Sequence, residues 1–222
     1  RCIAGAARLV SRGIDGDVPS KPFGDDADYA WAPDGKSMVF AARIAGRTEP
    51  WSTNFDLYLA TVDGSEAPLN LTAANPATDT GPVYSPDGRT LYYRAMQRPG
   101  FEADRFQIRA LDLASRNARD IAADWDRSPE GLVVAPDGRT LYTTVADLGA
   151  GSLFAVDVAS GKRTRLDNRG TVAGVTVGRD AIVYGRDDLK STAQLYRLSP
   201  RGGEPVALTR FNAARMAGLA LG

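Results

Sequence analysis

Histidine is absent from the 222 residues. Without it the chain can assemble no Ser-His-Asp or Cys-His arrangement and no His-ligated metal centre. Cysteine occurs once, as Cys2, so no internal disulfide can form and cysteine usage leaves the redox compartment open. There is no G-x-S-x-G elbow, phosphate-binding glycine loop or H-E-x-x-H motif. The acidic residues lack the one-three-five spacing of a calcium loop. No catalytic residue, metal or cofactor is therefore expected within the chain. Net charge is missing too, because 27 Lys and Arg balance 27 Asp and Glu. That balance gives no electrostatic reason to expect nucleic acid or an anionic membrane as partner. No apolar run approaches the roughly 20 residues that span a bilayer. Residues 1–10 have neither an apolar signal core nor an initiating methionine. The expectation is a soluble segment or processed product, with cytoplasm and periplasm both open.

What is present is a repeat. Trp31-Ala-Pro-Asp-Gly-Lys-Ser-Met-Val-Phe40, Tyr84-Ser-Pro-Asp-Gly-Arg-Thr-Leu-Tyr-Tyr93 and Val134-Ala-Pro-Asp-Gly-Arg-Thr-Leu-Tyr-Thr143 match closely. Their aspartates, Asp34, Asp87 and Asp137, are 53 and 50 residues apart. A decayed fourth copy, without the proline, lies at Val177-Gly-Arg-Asp-Ala-Ile-Val-Tyr184. Proline presets φ, glycine accepts positive φ, and the apolar run that follows alternates with strand period. Repeats of about 40–50 residues built of short strands point to propeller blades. The first unit is predicted to place strands ending near 31 and over 37–43, 55–62 and 68–72. The second places them over 82–84, 90–96, 106–113 and 118–122. The third covers 132–135, 140–145, 153–158 and 164–167, and the fourth 172–177, 181–185, 194–198 and 205–209. No segment carries a helical period over the length of an ordinary helix. The predicted fold is all-β, a partial β-propeller of about four four-stranded antiparallel blades spanning 28–74, 75–123, 124–169 and 170–210. Residues 1–27 are expected to lead in with the outer strand of a preceding blade, and 211–222 to form a linker.

Strands of a blade alternate in direction, so their connections fall on two faces. Short Pro-Asp-Gly and Asp-Gly turns occupy one, and for these the structural reading prevails. The other carries the long second-to-third-strand loops 45–54 and 97–105 and the inter-repeat loops 75–81 and 124–129. Loops rich in Trp, Phe, Glu, Asp and Arg on a rigid scaffold are where binding residues concentrate. The plainer reading of Trp51, Phe101 and Trp125 is packing at blade ends. That of Asp79 and Asp126 is hydrogen bonding to neighbouring loop backbone. Glu102, Asp104 and Arg105 suit either a binding cluster or a solvated ion-pair network.

Several of these motifs carry a resemblance. Pro22-Phe-Gly24, Glu49-Pro-Trp-Ser-Thr-Asn-Phe-Asp-Leu-Tyr58 and Asn70-Leu-Thr72 resemble bacterial peptidases of the prolyl oligopeptidase family, in its dipeptidyl-peptidase 5 and acylaminoacyl-peptidase-like branch. Arg98-Pro-Gly-Phe-Glu-Ala-Asp-Arg105, Asp124-Trp-Asp-Arg-Ser-Pro129 and 211–219 continue it. The likeness spans nearly the whole chain. The Pro-Asp-Gly repeat is shared by many propellers, whereas the loop motifs are specific. The resemblance implies the C-terminal half of a propeller that gates peptide access to an α/β-hydrolase domain, which lies outside this sequence. It further implies a carboxylate, Glu102 or Asp104, for the terminal ammonium of a short peptide substrate. Arg105 would orient a backbone carbonyl, and Trp51 or Phe101 would wall the pocket. The paired Glu-Glu of the family's better-known branch is missing. An open run of blades would leave apolar sheet at its edges, so homo-oligomerisation through those edges is expected. A propeller resembling translocation proteins, acting as a protein-binding module, stands as the alternative, and a free-standing interaction scaffold as a third.

Overall fold

The computed structural model describes residues 5, 7–16, 18 and 28–219. Cys2, the Pro22-Phe-Gly24 motif and most of the leading segment lie outside the described residues. Among the described residues sixteen strands run in chain order and pair into three sheets. The first sheet follows sequence order: β1 (Tyr29–Trp31), β2 (Ser37–Ala42), β3 (Asp56–Thr61) and β4 (Leu69–Asn70). The next does likewise with β5 (Asp79–Tyr84), β6 (Thr90–Ala95), β7 (Gln107–Asp112) and β8 (Ala118–Ile121). The third is larger. It holds β9 (Val133–Val134), β10 (Thr140–Asp147), β11 (Ala150–Asp157) and β12 (Arg163–Asp167). The same sheet continues with β13 (Thr171–Val177), β14 (Ile182–Asp188), β15 (Ser191–Leu198) and β16 (Val206–Ala207).

The repeat motif does in three dimensions what its residues require. In each complete copy the glycine N–H donates to the carbonyl three residues back: Gly35 to Ala32 at 2.9 Å, Gly88 to Ser85 at 2.9 Å and Gly138 to Ala135 at 2.8 Å. Those glycines have φ of 69°, 72° and 71°, a conformation that costs a side-chain-bearing residue energy. Each motif aspartate then accepts the N–H two residues on, from Lys36, Arg89 and Arg139 at 2.9, 3.1 and 2.9 Å. The turn therefore fixes the register of the hairpin it starts.

Chain contacts divide the molecule into two compact units, 1–105 with 109–119 and 106–108 with 120–222. In the first, Val39, Ala41, Leu57, Leu91, Tyr93, Ala95 and Leu111 form the core. Val39, Leu57 and Leu91 are fully buried, each worth roughly 1.5–3 kcal/mol relative to exposure. In the second, Leu153, Ile182, Tyr184 and Leu198 are the fully or almost fully buried members of the corresponding cluster. Tyr184 donates to Asp167 at 2.6 Å, and Arg186 reaches the same carboxylate at 2.6 Å. Burial raises that carboxyl, but the donations from Tyr184, Arg186 and Arg169 outweigh it and hold Asp167 below its ordinary range.

Two departures from the sequence reading have plain causes. The third and fourth repeats share one sheet because β11 and β13 meet in a parallel bridge at Gly151↔Thr171. A Cβ on Gly151 would come within 2.9 Å of Thr171, so only glycine lets the strands approach. Short helical turns also occur where loops were expected: a 3₁₀ turn at Gly46–Trp51 and the single-turn α1 (Ala213–Met216). The presumed linker at 211 starts out tied down. Gln194 accepts from the Phe211 N–H at 2.8 Å and donates to its carbonyl at 2.9 Å.

Candidate functional site

The two long loops that the sequence singles out come together in the first unit. Loop 45–54 is built around the 3₁₀ turn, closed by Thr48 donating to Ala45 O at 2.8 Å. Arg43 holds it from below, pairing with Glu49 at 3.1 Å and lying over the Phe55 ring. A cleft of about 300 Å³ beside the turn is lined by Asp15, Gly16, Arg43, Ala45, Gly46 and Glu49. At the end of the turn Trp51 stands 70% exposed.

Loop 97–105 closes on Asp104. Its carboxylate accepts the backbone N–H groups of Gln97 and Arg98, both at 2.8 Å, and the Arg98 Nε–H at 3.1 Å. Partial desolvation raises this carboxyl, but those donors and the Arg105 N–H outweigh it and hold it at about 2. Arg98 folds back so that its guanidinium lies 3.9 Å from the centre of the Phe101 ring. The two loops are joined at Gly100, whose N–H donates to Thr53 Oγ1 at 2.9 Å. Gly100 has φ of 71°, and a Cβ there would sit 4.0 Å from the Trp51 carbonyl. Thr53 is in turn anchored by Thr78, which donates to its carbonyl at 2.6 Å.

Structure thus separates the five candidate residues into different positions. Trp51 and Phe101 are exposed, at 70% and 41%, and are not packed as blade caps. Glu102 is exposed with no side-chain partner among the described residues. Asp104 has its acceptor capacity spent on its own loop. Arg105 is half-buried and engaged in contacts of its own. The residue that sequence reasoning passed over is Arg98, whose role rests on a contact three residues away that no local pattern announces.

Of the other candidates, Trp125 packs, whereas Asp79 and Asp126 meet side chains and not the loop backbone expected of them. Trp125 is buried and meets Phe154 edge-on at 5.1 Å. Asp79 is fully buried, accepting from the Asn75 side chain at 2.9 Å, while Asn75 also donates to Met96 O at 3.0 Å. Asp126 pairs with Arg127 at 2.8 Å, and Arg127 also pairs with Asp147 at 2.9 Å. In the third and fourth repeats the second-to-third-strand connections shrink to Leu148-Gly149 and Leu189-Lys190 between long hairpin strands. Among the described residues no group of three or more carboxylate or thiol side chains is placed to hold a metal ion. No helix there is long and apolar enough to cross a membrane.

No protein-family model matches the chain. It is 27% identical over 200 residues to dipeptidyl-peptidase 5 of Porphyromonas gingivalis, covering 89% of this chain and 29% of the relative. It is 33% identical to a probable dipeptidyl-peptidase 5 of Emericella nidulans over 68% of this chain and 22% of the relative. Relatives therefore include a fungus beside the expected bacteria, and the chain spans under a third of the length of either. Among solved structures, a puromycin-hydrolyzing peptidase of Mycobacterium tuberculosis superposes with a TM-score of 0.65 at 16% identity, over 83% of this chain and 29% of that one. A putative TolB of Agrobacterium tumefaciens gives 0.64 at 19% identity, over 82% of this chain and 64% of that one. At such identities the likeness is one of fold.

Proposed function

We propose, from the premise that this chain is a segment related to dipeptidyl-peptidase 5 of the prolyl oligopeptidase family, that it is the substrate-gating part of a serine exopeptidase's propeller. Its sixteen strands are read as four blades. Its reactive chemistry is assigned to an α/β-hydrolase domain of the same polypeptide, since this chain has no histidine. The observation that carries the reading is the joined loop pair 45–54 and 97–105. There Glu102, a carboxylate with no side-chain partner among the described residues, shares a tied loop with the exposed Phe101, next to the turn bearing Trp51. A terminal ammonium meeting Glu102 would form a charge-assisted hydrogen bond, stronger than a neutral one. Asp104, whose carboxylate is committed to the Gln97 and Arg98 N–H groups of its own loop, serves in this reading as the scaffold for that contact and not as the contact itself.

The test is Glu102→Gln in the protein as its gene encodes it, assayed on dipeptidyl substrates with free and acetylated N-termini. The expected result is a KM raised about tenfold for the free amine, the scale of one charge-assisted hydrogen bond, with the acetylated form unaffected. Unchanged kinetics on both overturn the ammonium assignment. A coding sequence lacking a serine elbow followed by Asp and His would instead turn the reading to a protein-binding propeller.

A further inference from the structure

We infer that the buried Asp79 is a positioning residue for the loop pair 45–54 and 97–105, tying the roots of both loops together with Asn75 and Thr78, and that the proton it carries decides how readily the pair opens. The inference takes this pair as the candidate site, as above, and gives it a pH-sensitive hold.

Residues 75–78 lie between the two roots. Asn75 spends both N–H groups of its amide, one on Asp79 Oδ1 at 2.9 Å and one on the Met96 carbonyl at 3.0 Å. Its own oxygen accepts the Ala77 N–H at 3.3 Å. Met96 is the residue from which loop 97–105 departs, and its N–H donates to the Thr78 carbonyl at 2.8 Å. On the other side, the Thr78 hydroxyl donates to the Thr53 carbonyl at 2.6 Å, and the Asp79 N–H donates to the Phe55 carbonyl at 2.8 Å. Thr53 also takes the Gly100 N–H on its hydroxyl, so the joint between the loops hangs on the same frame. The two N–H groups of an amide diverge from one nitrogen in one plane, so the oxygen that receives the first fixes where the second points. Asp79 therefore aims Asn75 at Met96.

The tie favours a neutral Asp79. Its side chain is wholly buried, and Oδ2 has no hydrogen-bond partner among the described residues. Charging a buried group that is only half paired is costly. Burial sets its pKa at about 7; Asp56 on β3 adds to that rise, while the Asn75 amide, the Thr72 hydroxyl and Arg109 on β7 oppose it. Asp28, ahead of β1, accepts instead from Thr80 and Gly81. Opening residues 75–81 brings water to Asp79 and returns it to the ordinary value of 3.8. The open form then sheds a proton that the closed form keeps, so opening becomes easier as pH rises toward 7 and levels off above it. From pH 6 to pH 8 the two values give an opening constant larger by about tenfold.

The experiment is hydrogen exchange read by mass spectrometry on the protein as its gene encodes it, at pH 6 and pH 8, corrected for the intrinsic pH dependence of exchange. The variants are Asp79→Asn, which keeps an oxygen for Asn75 and cannot titrate, and Asn75→Ala, which cuts the bridge to Met96; circular dichroism confirms folding. Protection of 45–54 and 97–105 in the parent is expected to fall about tenfold between the two pH values. In Asp79→Asn it is expected to be the same at both, and in Asn75→Ala to be low at both across 97–105. A parent whose loops are equally protected at pH 6 and pH 8 overturns the inference without recourse to any variant. So does a fall that Asp79→Asn shares, or one that persists undiminished in Asn75→Ala, since the proton would then act through the stability of the whole fold. Saturating alanylalaninamide is expected to raise the protection of both loops, because a ligand held by the closed pair opposes opening. A pH response without that rise defeats the peptide-binding reading alone and leaves the Asp79 tie in place.

Discussion

Asp79 opens β5 with a carboxyl that is fully buried, and its second oxygen has no hydrogen-bond partner. Burial pushes its pKa up to about 7, from 3.8, against the pull of the Asn75 amide. Asp56 raises it further and Arg109 lowers it. Because the folded pKa lies above the unfolded one, native protein holds a proton that unfolded protein has released between about pH 4 and pH 7. Stability is therefore greatest below pH 4 as far as this group is concerned, falls through that window, and levels off above pH 7. Each pKa unit corresponds to about 1.4 kcal/mol, so the loss amounts to about 4 kcal/mol. That is a large fraction of the usual stability of a domain. Asp79→Asn removes the titration while keeping an oxygen to accept from Asn75. The amide nitrogen it introduces is buried without a partner and costs about 1–3 kcal/mol at every pH. The variant is thus expected to be the less stable protein at pH 4 and the equal or more stable one at pH 8. Urea unfolding of both proteins at intervals from pH 4 to pH 8 gives the difference directly. If the two stability curves run parallel across that range, Asp79 does not carry its proton into neutral solution, and the reasoning from its burial is wrong. Carboxylates held low, such as Asp104 and Asp167, lose their contributions only as pH falls through their own depressed values, outside this window.

Leu148, at the tip of the β10–β11 hairpin, has φ of 51° and is 89% exposed, a backbone state that asparagine tolerates far better. Leu148→Asn is expected to stabilise the protein by about 1 kcal/mol in thermal melts, and an unchanged or lower Tm would show the turn to be unstrained. The last strands leave Leu195, Val206 and Leu208 at 44%, 59% and 51% exposure, beside Phe211 at 60%. Self-association of this chain through that surface is expected to appear in light scattering and to weaken in Val206→Lys; a stable monomer at high concentration would refute it.

How far the sequence carries this reading depends on whether the physics is local. Pro-Asp-Gly sets a turn by its own dihedral preferences, so the turns leading into the strands at Ser37, Thr90 and Thr140 are legible in the sequence, and the strands fall within a few residues of the positions expected. The longer reach of β10 to Asp147 was not, because it depends on Leu148 accepting a strained turn and on Arg127 and Arg165 meeting Asp147 from strands and loops elsewhere. Nor was the fusion of the third and fourth repeats, which depends on Gly151 letting β11 come up against Thr171. At the site the same divide holds. The loops and their aromatic, acidic and basic content could be read from composition, but which carboxylate is free could not. Glu102 and Asp104 are two residues apart and chemically alike; what distinguishes them is that the N–H groups of Gln97 and Arg98 converge on one and not the other. Likewise Arg98 and Arg105 bracket the same loop, and only the stacking on Phe101 separates a presented guanidinium from an engaged one. A polar group already satisfied by its own backbone has little left to offer a ligand, so the hydrogen bonds within each loop decide which of its charged side chains a ligand can meet.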